Sequence, residues 1–141
     1  AISLDVPASL IGPVGSLVAV AYIARVVWTG TETIKRLKAE LTAEGYDVDL
    51  IELTCLKPFD KETIQASLAR THKLAILDES TRSGGVGATF SALVSEELFD
   101  ELDAPVRRLC MEDAPVPYAT EMERVMVKRA ADLVEGVKSM C

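Results

Sequence analysis

Four times along the chain a short apolar run gives way to a turn and an amphipathic stretch, and that alternation leaves few folds open. Residues 16–22 form a continuous apolar run after Gly12, Pro13 and Gly15, the pattern of a strand covered on both faces and placed centrally in a parallel sheet. Thr31 then caps a helix with Ile34, Leu37 and Leu41 on one stripe and Gly45 as its stop. Residues 48–53 read as the next strand, and Asp60, just after Pro58, caps a helix carrying Ile64 and Leu68. A strand over 73–78 follows, then the turn Ser83-Gly84-Gly85, then a helix with Val86, Phe90, Leu93, Val94 and Leu98 at helical spacing. Residues 106–110 give another strand, and 112–118 must be loop because Pro115 and Pro117 each remove a donor and constrain the residue before. A last helix is expected over 127–140. This order specifies an α/β fold, a three-layer α/β/α domain over 16–141 with a mostly parallel sheet of about five strands. Residues 1–15 add a linker or an edge strand.

Composition narrows the chemistry. The 141 residues hold 15 Lys plus Arg against 22 Asp plus Glu, a net charge of −7 that argues against nucleic acid or an anionic membrane as partner. The longest apolar run, 17–24 between Ser16 and Arg25, is far short of the ~20 residues a spanning helix needs. The single histidine, His72, excludes a multi-histidine metal site, and the chain has no asparagine. Cys55, Cys110 and Cys141 are odd in number and lack a Cys-x-x-Cys spacing, so they read as reduced intracellular thiols, with Cys55 and Cys110 as small buried hydrophobes. A start at Ala1 without a leader reads as a piece of a longer polypeptide from which any targeting peptide has gone.

Several residues could carry chemistry, and each has a plainer reading. The turn 83–88, Ser-Gly-Gly-Val-Gly-Ala before a helix, could hold a phosphate on free amides, but it completes neither the dinucleotide nor the Walker pattern. Close packing of the helix start through Gly84, Gly85 and Gly87 accounts for the same residues. Asp78 and Glu79 end a strand where open α/β sheets bind ligands, yet no partner for acid–base work is in sight, which favours interdomain hydrogen bonding or pairing with Arg82. Glu101 and Asp103 read as solvated helix-end charges. His72 sits where a helix C-terminus favours it. Trp28 lies outside the regular helix pattern, as an interface anchor or as core. The acidic runs 96–103 and 112–123 are a solvated face or a surface for a basic partner.

The order of several segments resembles a known family, the C-terminal domain of the β subunit of 2-oxo acid dehydrogenases, pyruvate dehydrogenase above all, within the transketolase C-terminal-domain group. The matching residues are Leu56-Lys57-Pro58-Phe59-Asp60 with Thr63-Ile64 and Ser67, Thr71-His72, Asp78-Glu79, and Arg82-Ser83-Gly84-Gly85-Val86-Gly87-Ala88. Leu102-Asp103-Ala104-Pro105-Val106, and Asp113-Ala114-Pro115-Val116-Pro117-Tyr118-Ala119 followed by Glu123, complete the set. The likeness runs from Ser16 onward and is nearest the plastid and cyanobacterial form. Residues 25–30 are additional to the family pattern, and Ser80-Thr81 stand where the family has other residues.

The resemblance implies a subunit of an α2β2 enzyme that decarboxylates pyruvate with thiamine diphosphate and magnesium and passes the acetyl group to the lipoyl group of the acyltransferase, toward acetyl-CoA. The cofactor would lie between the α subunit and the N-terminal half of the β subunit. The family's Gly-Asp-Gly…Asn motif cannot exist in a chain without asparagine, so this chain is expected to hold no catalytic, cofactor-binding or metal residue and to be inactive alone. Its implied role is β–β dimerisation and binding of the basic peripheral subunit-binding domain of the dihydrolipoyl acetyltransferase. The resemblance assigns interface or structural roles to Glu79, Arg82, Gly84, Gly85, Gly87, Asp113, Pro117, Tyr118, Glu121 and Glu123. Asp113 and Tyr118 would fix the proline loop, and Glu121 or Glu123 would touch a partner. The implied location is the plastid stroma, with a bacterial cytoplasm or the mitochondrial matrix as alternatives. Competing readings are the same domain from another thiamine enzyme, a branched-chain 2-oxo acid dehydrogenase or a transketolase-type synthase, and an autonomous anion-binding module using residues 83–88.

Overall fold

A computed structural model of the chain describes residues 2–3, 17–22, 28–53, 55–128 and 130–141, with side chains described over 35–53, 55–128 and 131–141. The elements are β1 (Ile2–Ser3), β2 (Leu17–Tyr22), α1 (Trp28–Ala43), β3 (Asp47–Glu52), α2 (Lys61–Thr71), β4 (Leu74–Thr81), α3 (Val86–Glu97), β5 (Arg107–Met111), α4 (Thr120–Met126) and α5 (Ala130–Lys138). The sheet order is β1-β3-β2-β4-β5, parallel throughout except for β1, which pairs antiparallel with β3 at one edge. β2, the first long strand, lies in the middle.

The alternation of side chains along β4 builds the two faces of the core. Leu74 and Ile76 join Ile51, Leu53, Ile64, Leu68, Phe90, Val94 and Leu98 under α2 and α3. Ala75 and Leu77 join Leu41, Val48, Leu109, Leu133 and Val137 under α1 and α5. Phe59 and Phe90 meet edge to face, with centroids 5.7 Å apart. α5 comes close to β5 because position 136 has no side chain: a Cβ there would lie 2.8 Å from Leu109 Cδ1.

Local chemistry fixes α2 at both ends. Asp60 is its N-cap, with Oδ1 accepting from the Thr63 amide at 3.0 Å and Oδ2 from Thr63 Oγ1 at 2.8 Å. His72 closes the helix in the left-handed region at φ 54° and donates its amide to Leu68 O. Its Nδ1–H reaches Glu101 O at 3.1 Å, and its carbonyl accepts from the Asp103 amide at 2.8 Å. His72 therefore ties the α2 end to the 3-10 turn Phe99–Glu101.

Four expectations need correction. α1 begins at Trp28, so Trp28 is helical and Thr31 lies inside the helix instead of capping it; the Trp28 side chain is outside the described residues, as are 4–16 and 23–27. The last helix expected over 127–140 is present as the shorter α5, but a separate helix that was not expected, α4, precedes it, and Val127 leaves helical values between them at φ −75°, ψ 121°. α4 buries none of its side chains, so it carries no core-facing stripe for a sequence pattern to reveal. β4 runs on to Thr81, three residues past its expected end, through an irregularity against β5. Finally, Cys55 is exposed, not buried: it lies in the irregular segment between β3 and α2, beyond the cover of either core face.

Candidate interaction site at the carboxyl ends of the strands

The site starts from the irregularity in β4. Leu77 pairs with Leu109 and Thr81 with Met111, so four steps along β4 match two along β5 and the strand bulges between them. Asp78 is turned into the protein, only 7% exposed, where it accepts from the Ser80 amide at 3.0 Å, from Ser80 Oγ, and from the Gly87 amide at 2.7 Å. Ser80 was not anticipated as its partner, and pairing of Asp78 with Arg82 is replaced by these bonds because the bulge brings Ser80 and the α3 start to the carboxylate. Glu79 is exposed.

The Gly87 amide is one of the orphan donors of the α3 N-terminus, so Asp78 caps that helix from a neighbouring strand and places a negative charge at the positive end of its dipole. This corrects the anion-binding reading of residues 83–88: the chain's own carboxylate holds the amide that an external phosphate would need.

The glycines make that approach possible. Gly84 adopts φ +70°, a left-handed turn position. A Cβ at Gly85 would sit on Ser80 Oγ and the Thr81 carbonyl oxygen, and one at Gly87 would lie 2.9 Å from Asp78 Oδ2 and 3.1 Å from Asp78 Cβ.

Asp113 then fastens the segment after β5 to this turn. Its Oδ1 accepts from the Ser83 amide at 2.7 Å and its Oδ2 from Ser83 Oγ at 2.6 Å. The Ser83 hydroxyl, then its amide, hold the Asp113 carboxyl below the ordinary carboxylate value, with Arg82 and Arg108 adding to the effect. Arg108 Nη1 donates to Arg82 O at 2.9 Å, which ties the same turn to β5.

Beyond Asp113 the segment turns its side chains to water. Pro117 is half-buried and Tyr118 is 106% exposed, so the loop's anchor is Asp113 and not Tyr118. Glu121 accepts from Arg124 at 2.8 Å on α4, and Glu123 is exposed. Val116 at 56%, Met122 at 60% and Val125 at 81% exposure join Tyr118 as large apolar groups in water. Sequence reasoning missed Val116, Met122 and Val125; the available signal was Met122, Val125 and Met126 at helical spacing among charged residues.

Cys110 is buried on β5, and burial pushes its thiol up against the pull of Arg108 and Arg82. Among the described residues no group of three or more His, Cys, Asp or Glu could hold a metal ion, and no helix is long and apolar enough to cross a membrane.

Comparison with known proteins places this geometry. Residues 26–133 match the family described as Transketolase, C-terminal domain. The chain is 42% identical over 101 residues to the pyruvate dehydrogenase E1 component subunit beta of Staurastrum punctulatum, covering 72% of this chain and 31% of that one. It is equally 42% identical over 101 residues to the chloroplastic subunit beta-2 of Arabidopsis thaliana, covering 72% of this chain and 25% of that one. The chain thus spans a quarter to a third of the length of these curated relatives. A solved structure described as a split gene transketolase, inactive beta4 tetramer, shares the fold with a TM-score of 0.70 at 23% identity, over 89% of this chain and 39% of that one. With its sheet, its glycine turn and a family match over most of its length, the chain belongs to the transketolase C-terminal domain family.

Proposed function

We propose that the chain is the C-terminal assembly domain of a pyruvate dehydrogenase β subunit, pairing β subunits and offering a docking face to the peripheral subunit-binding domain of the acyltransferase. The observation that carries this reading is the 113–126 segment: it is anchored at Asp113, its helix α4 buries none of its side chains, and it exposes Val116, Tyr118, Met122 and Val125. Tyrosine and methionine are enriched at protein interfaces, and α4 has little else to gain from being folded. The exposed acids, Glu123 among them, and the net charge of −7 suit a basic partner, with electrostatics setting encounter rate and specificity. Residues 16–141 would form the assembly unit, to which Ile2–Ser3 of the 1–15 segment adds an edge strand. The chloroplastic relatives support a place in the plastid stroma.

The chain's own residues do not fit thiamine diphosphate and magnesium. Its buried carboxylate at the strand ends, Asp78, is committed to Ser80 and Gly87, and the chain has no asparagine to complete the family's metal motif. The cofactor therefore belongs to other parts of the parent enzyme, and the chain alone is inactive. The test is turnover by the full-length β subunit with its α subunit, thiamine diphosphate and magnesium, offered pyruvate or branched-chain 2-oxo acids. Preference for pyruvate supports the reading. Preference for a branched-chain acid, or no 2-oxo acid turnover, overturns it.

A further inference from the structure

β5 is an edge strand, and along it, reaching to α5, lies a cleft of about 530 Å³, the size range of small-ligand sites. Four cations line it: Arg82 from the turn after β4, Arg107 and Arg108 from β5, and Lys128 from the link between α4 and α5. Several cations of the described residues are closed in ion pairs, as in Lys61–Glu97, Arg70–Asp49, Arg124–Glu121 and Lys138–Glu44. The Arg82 and Lys128 side chains, by contrast, make no hydrogen bond or ion pair among the described residues, although Glu112, Asp132 and Glu135 line the same cleft. In a chain with seven more acids than bases, a cleft with four cations against three carboxylates needs a reason. Arg108 adds a fixed guanidinium, held by its bond to Arg82 O, so its remaining donors are oriented before any ligand arrives. The fields of Arg82 and Arg108 already reach the Cys110 thiol on the cleft wall.

We propose that this cleft binds a small polyanion, a phosphate- or carboxylate-bearing molecule, between Arg82, Arg108 and Lys128. The site lies away from the α3 amide that Asp78 holds, and it stands independently of the assembly role.

The test is calorimetric titration of the full-length protein with inorganic pyrophosphate and, separately, citrate, at low and moderate salt. Binding of either at one site, weakening as salt rises, is expected. Pyrophosphate alone marks a phosphate site and citrate alone a carboxylate site; both support the proposal. Lys128→Gln, which removes no hydrogen bond or ion pair among the described residues, is expected to weaken binding about tenfold, as loss of a charge-assisted bond should. The pair Glu112→Gln and Glu135→Gln is expected to tighten it by removing like charge. Arg36→Gln, an exposed change on α1, should leave it alone. No heat with either anion at about 10 mM, where even a very weak site would register, overturns the proposal. So does binding that Lys128→Gln leaves unchanged, or that Arg36→Gln weakens equally.

Discussion

Replacing Gly87 by alanine tests how the bulge, Asp78 and the α3 start depend on one another. The new methyl would lie 2.9 Å from Asp78 Oδ2 and 3.1 Å from Asp78 Cβ, so the carboxylate must withdraw from the Gly87 amide that it now holds at 2.7 Å. Overpacking of this kind costs about 1–3 kcal/mol. Losing a buried hydrogen bond to a carboxylate costs about 1.5–3 kcal/mol. Alanine's better helix propensity returns about 1 kcal/mol at most. The net destabilisation is about 3 kcal/mol, and at ~2.1 cal/mol/K per residue over 141 residues it lowers Tm by about 10 °C. Thermal unfolding followed by circular dichroism measures this. The sharper test is a double-mutant cycle with Asp78→Ala. With the carboxylate gone only the 3.1 Å contact with the Cβ of residue 78 remains, and Gly87→Ala should then cost less than in the parent by about the 1.5–3 kcal/mol of the hydrogen bond no longer there to lose. Additive effects, or a Gly87→Ala Tm equal to that of the parent, would refute the reasoning.

Other outcomes follow from the same structure. Asp60 is held low chiefly by the Thr63 amide and Asp113 chiefly by the Ser83 hydroxyl. A carboxylate depressed on folding stabilises the fold above its ordinary value of 3.8 and loses that contribution as pH falls through the depressed one. Acid unfolding should therefore steepen below pH 3.8, and Asp113→Asn, which can still accept from the Ser83 amide, should flatten the slope there. Iodoacetamide should label Cys55 and Cys141 in the folded chain and reach Cys110 only on unfolding, as read by peptide mass spectrometry. Leu68→Ala, at a position with 0% exposure in the core, should cost about 2–5 kcal/mol, seen as a lower urea midpoint with unchanged slope.

The parts of this fold that a sequence can announce are those where burial imposes a period. Ile64 and Leu68 on α2 and Phe90 and Val94 on α3 carry their environment in their spacing. Asp60 declares its cap because a short acidic side chain before a helix has one good use. The bulge in β4 is different: Asp78, Glu79, Ser80 and Thr81 are polar residues that read as the end of a strand, and only the uneven pairing with β5 turns Asp78 inward onto Ser80 and Gly87. α4 stayed hidden for the opposite reason, since a helix that buries nothing in its own chain has no core-facing stripe. The early start of α1 is illegible for a related cause. Gly30 falls in its first turn, where sequence reading takes glycine as a boundary.

Sedimentation equilibrium of the chain, alone and mixed with a peripheral subunit-binding domain, tests the assembly role most directly, with Met122→Glu and Val125→Glu as the paired variant. The account predicts self-association that the variant abolishes, and binding of the basic domain that weakens as salt rises. A monomer that ignores the domain, or an association that the variant leaves intact, would contradict it.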